Sequence, residues 1–337
     1  MKSLVQELFA RLRDAPAALS SVGPGASEGA CHASIALAVE HVVDHVSPRL
    51  RAAPGYAKVL REPVAAALRH IDAMAELVPG PLTCSRESFA ADSQVNAFFV
   101  SPGHLQEVFS QSREVRQVFD DEPDADACWA LLCMQMKGKS RPGLALVRDQ
   151  VQRDVMQTTI SFCEHQVVAP GRTERDARQA LKCCIFNGFL GFTRQRLEEA
   201  TQRRDAARIL RRRLRQLRTE PGTDHRRVAL ELELAAVERE IARQDQPIAD
   251  IAEKLRFVAG ILANPSAMMS AIRKPLNLSR LGVQISESSN EPGYRLILSE
   301  IQIASHAPRV GALVKFHRHE LLPAPDFIRQ ADLFLSQ

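Results

Sequence analysis

Two pairs of side chains have the types and the spacing that chemistry would need. His41 and His45 are four residues apart, which places two possible zinc ligands on one face of a helix. Cys163 and His165 are a possible nucleophile and base, but residues two apart on a helix do not face each other. No second motif at ligand spacing supports either pair. The sequence therefore predicts a non-enzymatic protein with no metal and no cofactor.

Two groups of cations are explained more simply by contact with solvent. Residues 138–140 (Gly-Lys-Ser) look like the end of a phosphate-binding loop, but Cys133 stands where that motif needs its first glycine. Lys315, His317 and His319 alternate along a predicted strand, as an exposed cationic edge would. Neither group predicts a site.

An arginine-rich stretch favours binding over catalysis. From Arg194 to Arg218 there are ten arginines against three acidic residues, a local charge of +7. The segment from Asp224 to Arg243 is nearly balanced, with five acids against four arginines. One interpretation is a rod that grips the phosphates of a nucleic acid. The other is a solvated helix face in a chain whose 44 basic residues are mostly arginine.

The overall composition is that of a globular protein. Of 337 residues, 45% are hydrophobic and 25% are charged, and the net charge is only +4. Aromatic residues make up 5% and Trp129 is the only tryptophan, which argues against a base-stacking platform or a sugar cleft. The seven cysteines form no C-x-x-C, and no apolar run suits a signal peptide or a membrane span. We expect a cytoplasmic protein.

Residues 1–170 are predicted to form a bundle of short helices. Apolar residues recur at helical spacing over 27–46 and 62–77, and Ser101 is placed to cap a helix that begins at Pro102. Two more helices are predicted after Asp124. The first contains Trp129, Leu132 and Met136, and the second contains Val147, Val151, Val155, Thr158 and Phe162.

Residues 171–268 are predicted to form a long antiparallel helical hairpin. Thr173 is placed to cap the first arm, with Asp176 three residues on, and the helical pattern continues to Arg218. A six-residue turn follows, and the second arm reaches about Ala263 with apolar residues alternating by four and three. Such a heptad seam predicts self-association or a protein partner.

Residues 269–337 are predicted to form a small antiparallel β module, which makes the whole chain α+β and mostly α. Apolar residues alternate over 281–285, 294–303 and 310–316, with turn sequences between them. Residues 325–335 are predicted to form a closing helix.

One motif in this module resembles a known family. Residues 277–282 (Asn-Leu-Ser-Arg-Leu-Gly) resemble the D/N-x-S-x-x-G motif of PilZ domains, bacterial receptors for cyclic di-GMP. The resemblance covers about residues 270–337 and implies a PilZ-like barrel. It also implies that Asn277 and Ser279 hydrogen-bond a guanine edge, and that Gly282 lets the backbone turn tightly beneath the ligand.

The sequence departs from the family at the phosphate-binding element. Family members carry an R-x-x-x-R element just before the motif, where arginines hold phosphate and stack on guanine. Here the nearest such pair is Arg239 and Arg243, within a predicted helix, and the nearest basic pair is Arg273 and Lys274.

The resemblance implies a signalling or adaptor protein. It would sense cyclic di-GMP through the β module and relay the signal to partners through its helical part. The alternatives are a nucleic-acid-binding protein that uses the arginine-rich hairpin and a helical scaffold with no ligand.

Overall fold

A computed structural model describes residues 28–147, 150–217, 224–242, 250–285, 292–303 and 307–323 of the chain. Helices and strands both contribute extensively, so the predicted mixture of α and β structure is confirmed. The helices are α1 (Glu28–Val46), α2 (Tyr56–Glu76), α3 (Arg86–Ala91), α4 (Ser93–Phe98), α5 (Pro102–Ser110), α6 (Arg113–Asp121), α7 (Glu174–Leu217), α8 (Asp224–Ala242) and α9 (Ile251–Ala263). The strands are β1 (Leu82–Cys84), β2 (Ala127–Val147), β3 (Gln150–Gly171), β4 (Met269–Leu278), β5 (Tyr294–Ile303) and β6 (Arg309–His317).

The chain divides into two compact units, each built from two separated segments. Unit 1 comprises residues 1–71 and 185–268, and unit 2 comprises residues 72–184 and 269–337. The division falls inside α2 and α7. The units therefore do not follow the limits 1–170, 171–268 and 269–337 that the sequence suggests, because strands from 82–171 and from 269–317 share one sheet.

Unit 2 contains a curled sheet in which the strands lie in the order β3-β2-β6-β5-β4. These neighbours are antiparallel, and the short β1 adds to β6 in parallel. The sheet curls so far that residues 282–285 bond to both of its outer strands. Ile160 N donates to Gly282 O at 2.8 Å, and Ile285 N donates to Asn277 O at 2.8 Å.

The prediction of two helices after Asp124 is wrong, because β2 and β3 form a long β-hairpin there. The apolar run at 127–134 is compatible with a buried strand or a buried helix, so periodicity does not distinguish them. The β-branched residues at 158–160 favour the strand.

The core of unit 2 lies between the inner face of this sheet and helices α3 to α6. Alternate residues of β2 point inwards, including Ala130, Leu132 and Met134, and the ring of Phe109 on α5 stacks on Phe316 of β6 with centroids 4.5 Å apart. Ser101 caps α5 as predicted, since its hydroxyl accepts from His104 N at 3.1 Å. Because these helices cover the inner face of the sheet, the candidate sites described below lie on its outer face.

Unit 1 is helical. It contains α1, most of α2, the greater part of α7, and helices α8 and α9. Arg211 of α7 donates to Glu238 of α8 at 2.7 Å, which joins two long helices of the predicted hairpin. The predicted capping of α7 is present, because Asp176 N donates to Thr173 Oγ1 at 3.2 Å.

Several other predictions fall outside the described residues or differ from the observed strands. Arg243 and the predicted helix at 325–335 are outside the described residues. Of the predicted strand at 281–285, only isolated bridges form, while β4 occupies residues for which no strand was predicted. Among the described residues, no helix combines the length and the apolar character needed to cross a membrane.

Candidate functional site

The turn at residues 277–282, here called the motif turn, is organised by Ser279. Its hydroxyl oxygen accepts from Leu281 N at 3.3 Å and from Val283 N at 3.2 Å, and its own N–H donates to Val283 O at 2.8 Å. A hydroxyl oxygen has two lone pairs, so both are engaged within the turn. Only the O–H proton of Ser279 is left for a ligand.

Gly282 allows the motif turn to approach β3. Its φ is +74°, in the left-handed region that suits glycine. A Cβ at this position would lie 3.2 Å from the carbonyl oxygen of Ile160. The residue type at Gly282 is therefore explained by backbone conformation and close packing.

Three of the four basic residues predicted from the sequence are engaged elsewhere. Arg273 donates to Leu77 O and Glu76 O, at 3.2 and 3.3 Å, at the C-terminal end of α2. Lys274 pairs with Glu300 at 2.5 Å. Arg239 lies in unit 1 on α8, where its Nε donates to Ala235 O.

The structure therefore groups only part of the predicted set. Asn277, Ser279 and Gly282 stand together in unit 2, whereas Arg239 belongs to unit 1 and Arg243 is outside the described residues.

Other cations stand beside the motif turn, and Arg295 is the first of them. On β5 it pairs directly with Asn277 on β4, so the two side chains share a face. Their neighbours Leu276, Leu278 and Leu296 are buried in the core, so this shared face is the outer one. Arg295 and Arg280 are exposed, and neither has a carboxylate partner within the described part of the chain.

Lys139 approaches the motif turn from the other side. It pairs with Thr159 of β3, and Thr159 in turn pairs with Val283, so three residues form one row across the sheet. Adjacent strands are about 4.8 Å apart, which puts the Lys139 backbone about 10 Å from Val283. Lys137 and Arg141 lie on the same face of β2, and all three cations are exposed.

We call Lys139, Asn277, Arg280, Gly282 and Arg295 together the motif surface. No spacing in the sequence indicates Arg295, because its neighbour Asn277 is 18 positions away and the register brings them together. The sequence analysis misses Lys139 for another reason, because it predicts a helix in the segment just before this residue. A cation pattern of Lys137, Lys139 and Arg141 on alternate residues is the signal that a strand interpretation would have revealed.

In the two pairs singled out in the sequence, three of the four side chains are engaged in other hydrogen bonds. The rings of His41 and His45 are 4.1 Å apart, but His41 is buried and hydrogen-bonds Asn187 Oδ1 at 2.6 Å. His165 bonds Phe98 O at 2.7 Å, while the Cys163 thiol bonds Gln135 O. Within the described ranges, no three metal-ligating side chains gather.

Several arginines of α7 are held in ion pairs. Arg194 pairs with Glu198 at 2.7 Å, Arg204 with Glu253 at 3.7 Å, and Arg211 with Glu238. Exposed arginines without an acidic partner among the described residues remain at Arg208, Arg212 and Arg213. The positive charge of α7 that could bind a ligand is therefore smaller than its composition indicates.

Comparisons with protein-family models, with curated protein sequences and with solved structures each find no match to this chain.

Proposed function

We propose that this protein is a non-enzymatic signalling or adaptor protein that binds cyclic di-GMP at the motif surface. The observation that carries the proposal is the placement, on two sides of the motif turn, of cations that have no carboxylate partner among the described residues. Arg295 stands opposite Asn277, and Lys139 shares a row with Val283.

The ligand's chemistry suits this arrangement. Cyclic di-GMP presents two phosphates and two guanine edges. Arg295 and Lys139 supply the positive charge that phosphates need, and Arg280 is a further cation within the turn. Asn277 offers an amide donor and acceptor to a guanine edge. In this proposal Arg295 and Lys139 replace the missing R-x-x-x-R element.

Ser279 and Gly282 act indirectly in this proposal. Ser279 fixes the turn through two accepted hydrogen bonds, and Gly282 keeps the turn against β3. Binding at this surface would shift the population of conformations that partners recognise, and the long helices would contact those partners.

Calorimetric titration of the full chain with cyclic di-GMP tests the proposal, with GTP and cyclic AMP as comparison ligands. We expect saturable binding of cyclic di-GMP that weakens at least tenfold in Arg295→Gln and in Lys139→Gln. Arg212→Gln, an exposed arginine on α7, is the matched control and should bind as wild type. Absence of heat and of a thermal shift with wild type, or equal binding by both variants, would overturn the proposal.

Nucleic-acid binding by α7 is the alternative function. Arg208, Arg212 and Arg213 favour it, because they are exposed and unpaired among the described residues. Phosphate contacts would make the affinity for duplex DNA or RNA fall steeply as salt increases. Binding that persists when all three arginines are changed to glutamate would exclude this function for the arm.

A further inference from the structure

A separate basic groove lies on the outer face of unit 2, at the opposite end of β2 from Lys139. Its volume is about 1030 Å³. Trp129 pairs with Lys315 across β2 and β6, and Ala127 pairs with His317, so these side chains share one face. Ten residues separate Trp129 from Lys139, or about 33 Å along an extended strand. The groove is therefore distinct from the motif surface.

The contacts of the charged residues around the groove show which of them already have partners. Arg318 donates to three backbone carbonyls, those of Phe119, Glu122 and Ala125, at 2.6 to 2.8 Å. Arg172 pairs with Glu122 at 2.9 Å. These two cations are therefore already engaged.

The described carboxylates of the groove and its margin contact some of these basic residues but not Lys315. Asp176 accepts from Thr173 N and Thr173 Oγ1, as part of the cap of α7. Asp126 is the other acidic residue in the lining, against five basic ones. Lys315 has no carboxylate partner among the described residues, and its Nζ lies 5.1 Å from the centre of the Trp129 ring.

Two histidines line the same groove, and His319 Nε2 lies 3.9 Å from Glu320 Oε1. The rings of the two histidines stack with centroids 5.4 Å apart, and His319 is largely exposed. Burial lowers the pKa of His317, the charge of Lys315 lowers it further, and Glu320 and Asp126 offset part of this shift. The N-terminal end of α7, which carries partial positive charge, also borders the groove through Thr173 and Asp176.

We propose that the basic groove binds a phosphorylated small molecule, with its phosphate on Lys315 and His319 and its remaining part against Trp129. Lys315 has no carboxylate contact among the described residues, and the exposed His319 ring in the same lining offers a hydrogen-bond donor, so the two together suit a phosphate. A tryptophan ring at the same place provides an apolar contact for the carbon part of the ligand.

The only tryptophan of the chain makes the test direct, because intrinsic indole emission reports on this groove alone. Inorganic pyrophosphate is titrated into the full chain, and sodium chloride at equal ionic strength is the comparison. We expect a saturable change in Trp129 emission with pyrophosphate only. Calorimetry on the same samples should give the same dissociation constant.

Variants separate this groove from the motif surface. We expect Lys315→Gln and His319→Gln each to weaken pyrophosphate binding at least fivefold, while Lys139→Gln leaves it unchanged. His319 is the safer variant for folding because its side chain is 72% exposed. A non-saturable response equal to that of sodium chloride, or wild-type binding by both variants, would overturn the proposal. Since cyclic di-GMP binding is scored with Lys139→Gln and Arg295→Gln, either proposal can fail alone.

Discussion

Ser279 and Gly282 stabilise the motif turn through different physical effects. The Ser279 hydroxyl accepts hydrogen bonds from two backbone N–H groups, which in a tight turn would otherwise bond to water. Gly282 acts by permitting a positive φ and a close carbonyl contact. The same residues that resemble a ligand-binding motif thus have a local structural reason to be there.

Replacing Gly282 by alanine should destabilise the protein by about 1–2 kcal/mol or more. The new side chain would occupy a left-handed conformation and would also crowd Ile160 O. Gly55→Ala is the matched control, because Gly55 has a φ of +71° but nothing within 4 Å of its Cβ position. Urea unfolding monitored by circular dichroism measures both variants. A loss for Gly282→Ala no greater than that for Gly55→Ala would show that the contact with Ile160 costs nothing.

At the scale of elements, one side chain anchors the end of α6 to the end of β6. The Arg318 guanidinium donates to carbonyls at and just after the C-terminus of α6, and it lies 4.7 Å from the centre of the Phe119 ring. Carbonyls at a helix end have no partners inside the helix, so a cation there satisfies them. Arg318 thereby holds a helix onto the sheet.

We expect Arg318→Lys to lower the free energy of unfolding by about 2 kcal/mol, although the charge is kept. An ammonium group cannot reproduce the fork of donors that reaches three carbonyls. Arg113→Lys, at the start of the same helix, is the control, because Arg113 forms no ion pair in the described residues. Equal midpoints for Arg318→Lys and wild type in chemical denaturation would contradict this assignment.

At the scale of the whole molecule, each unit contains a histidine held in its neutral form. Burial lowers the pKa of His45 in unit 1, with the neighbouring His41 contributing, and burial lowers the pKa of His165 in unit 2. In the unfolded chain these histidines titrate near their ordinary pKa of about 6.5. The unfolded state therefore binds more protons than the folded state as the solution becomes mildly acidic.

Stability should consequently fall as the pH drops from about 7.5 to 5.5, because protons then favour the unfolded chain. Carboxylates titrate mainly below this window and contribute little to the change. Thermal unfolding at several pH values measures the effect, and the double variant His45→Gln, His165→Gln should show a shallower dependence. A wild-type midpoint that rises on acidification would contradict the expected sign.

The sequence alone determined the features that depend on local interactions. The caps at Ser101 and Thr173, the long helical pattern after Thr173 and the strands at 294–303 and 310–316 all follow from residues close in the chain. The motif at 277–282 could also be found this way. Its turn is made by hydrogen bonds within a few residues.

Only the tertiary structure decided which strands share the sheet and which cations meet. Residues 127–134 join β6 because their apolar side chains bury against helices α3 to α6, and that preference depends on distant partners. Arg295 and Lys139 reach the motif turn, and Lys315 reaches Trp129, through strand register alone. Register depends on pairing between segments far apart in the chain, so no local pattern could have placed these charges together.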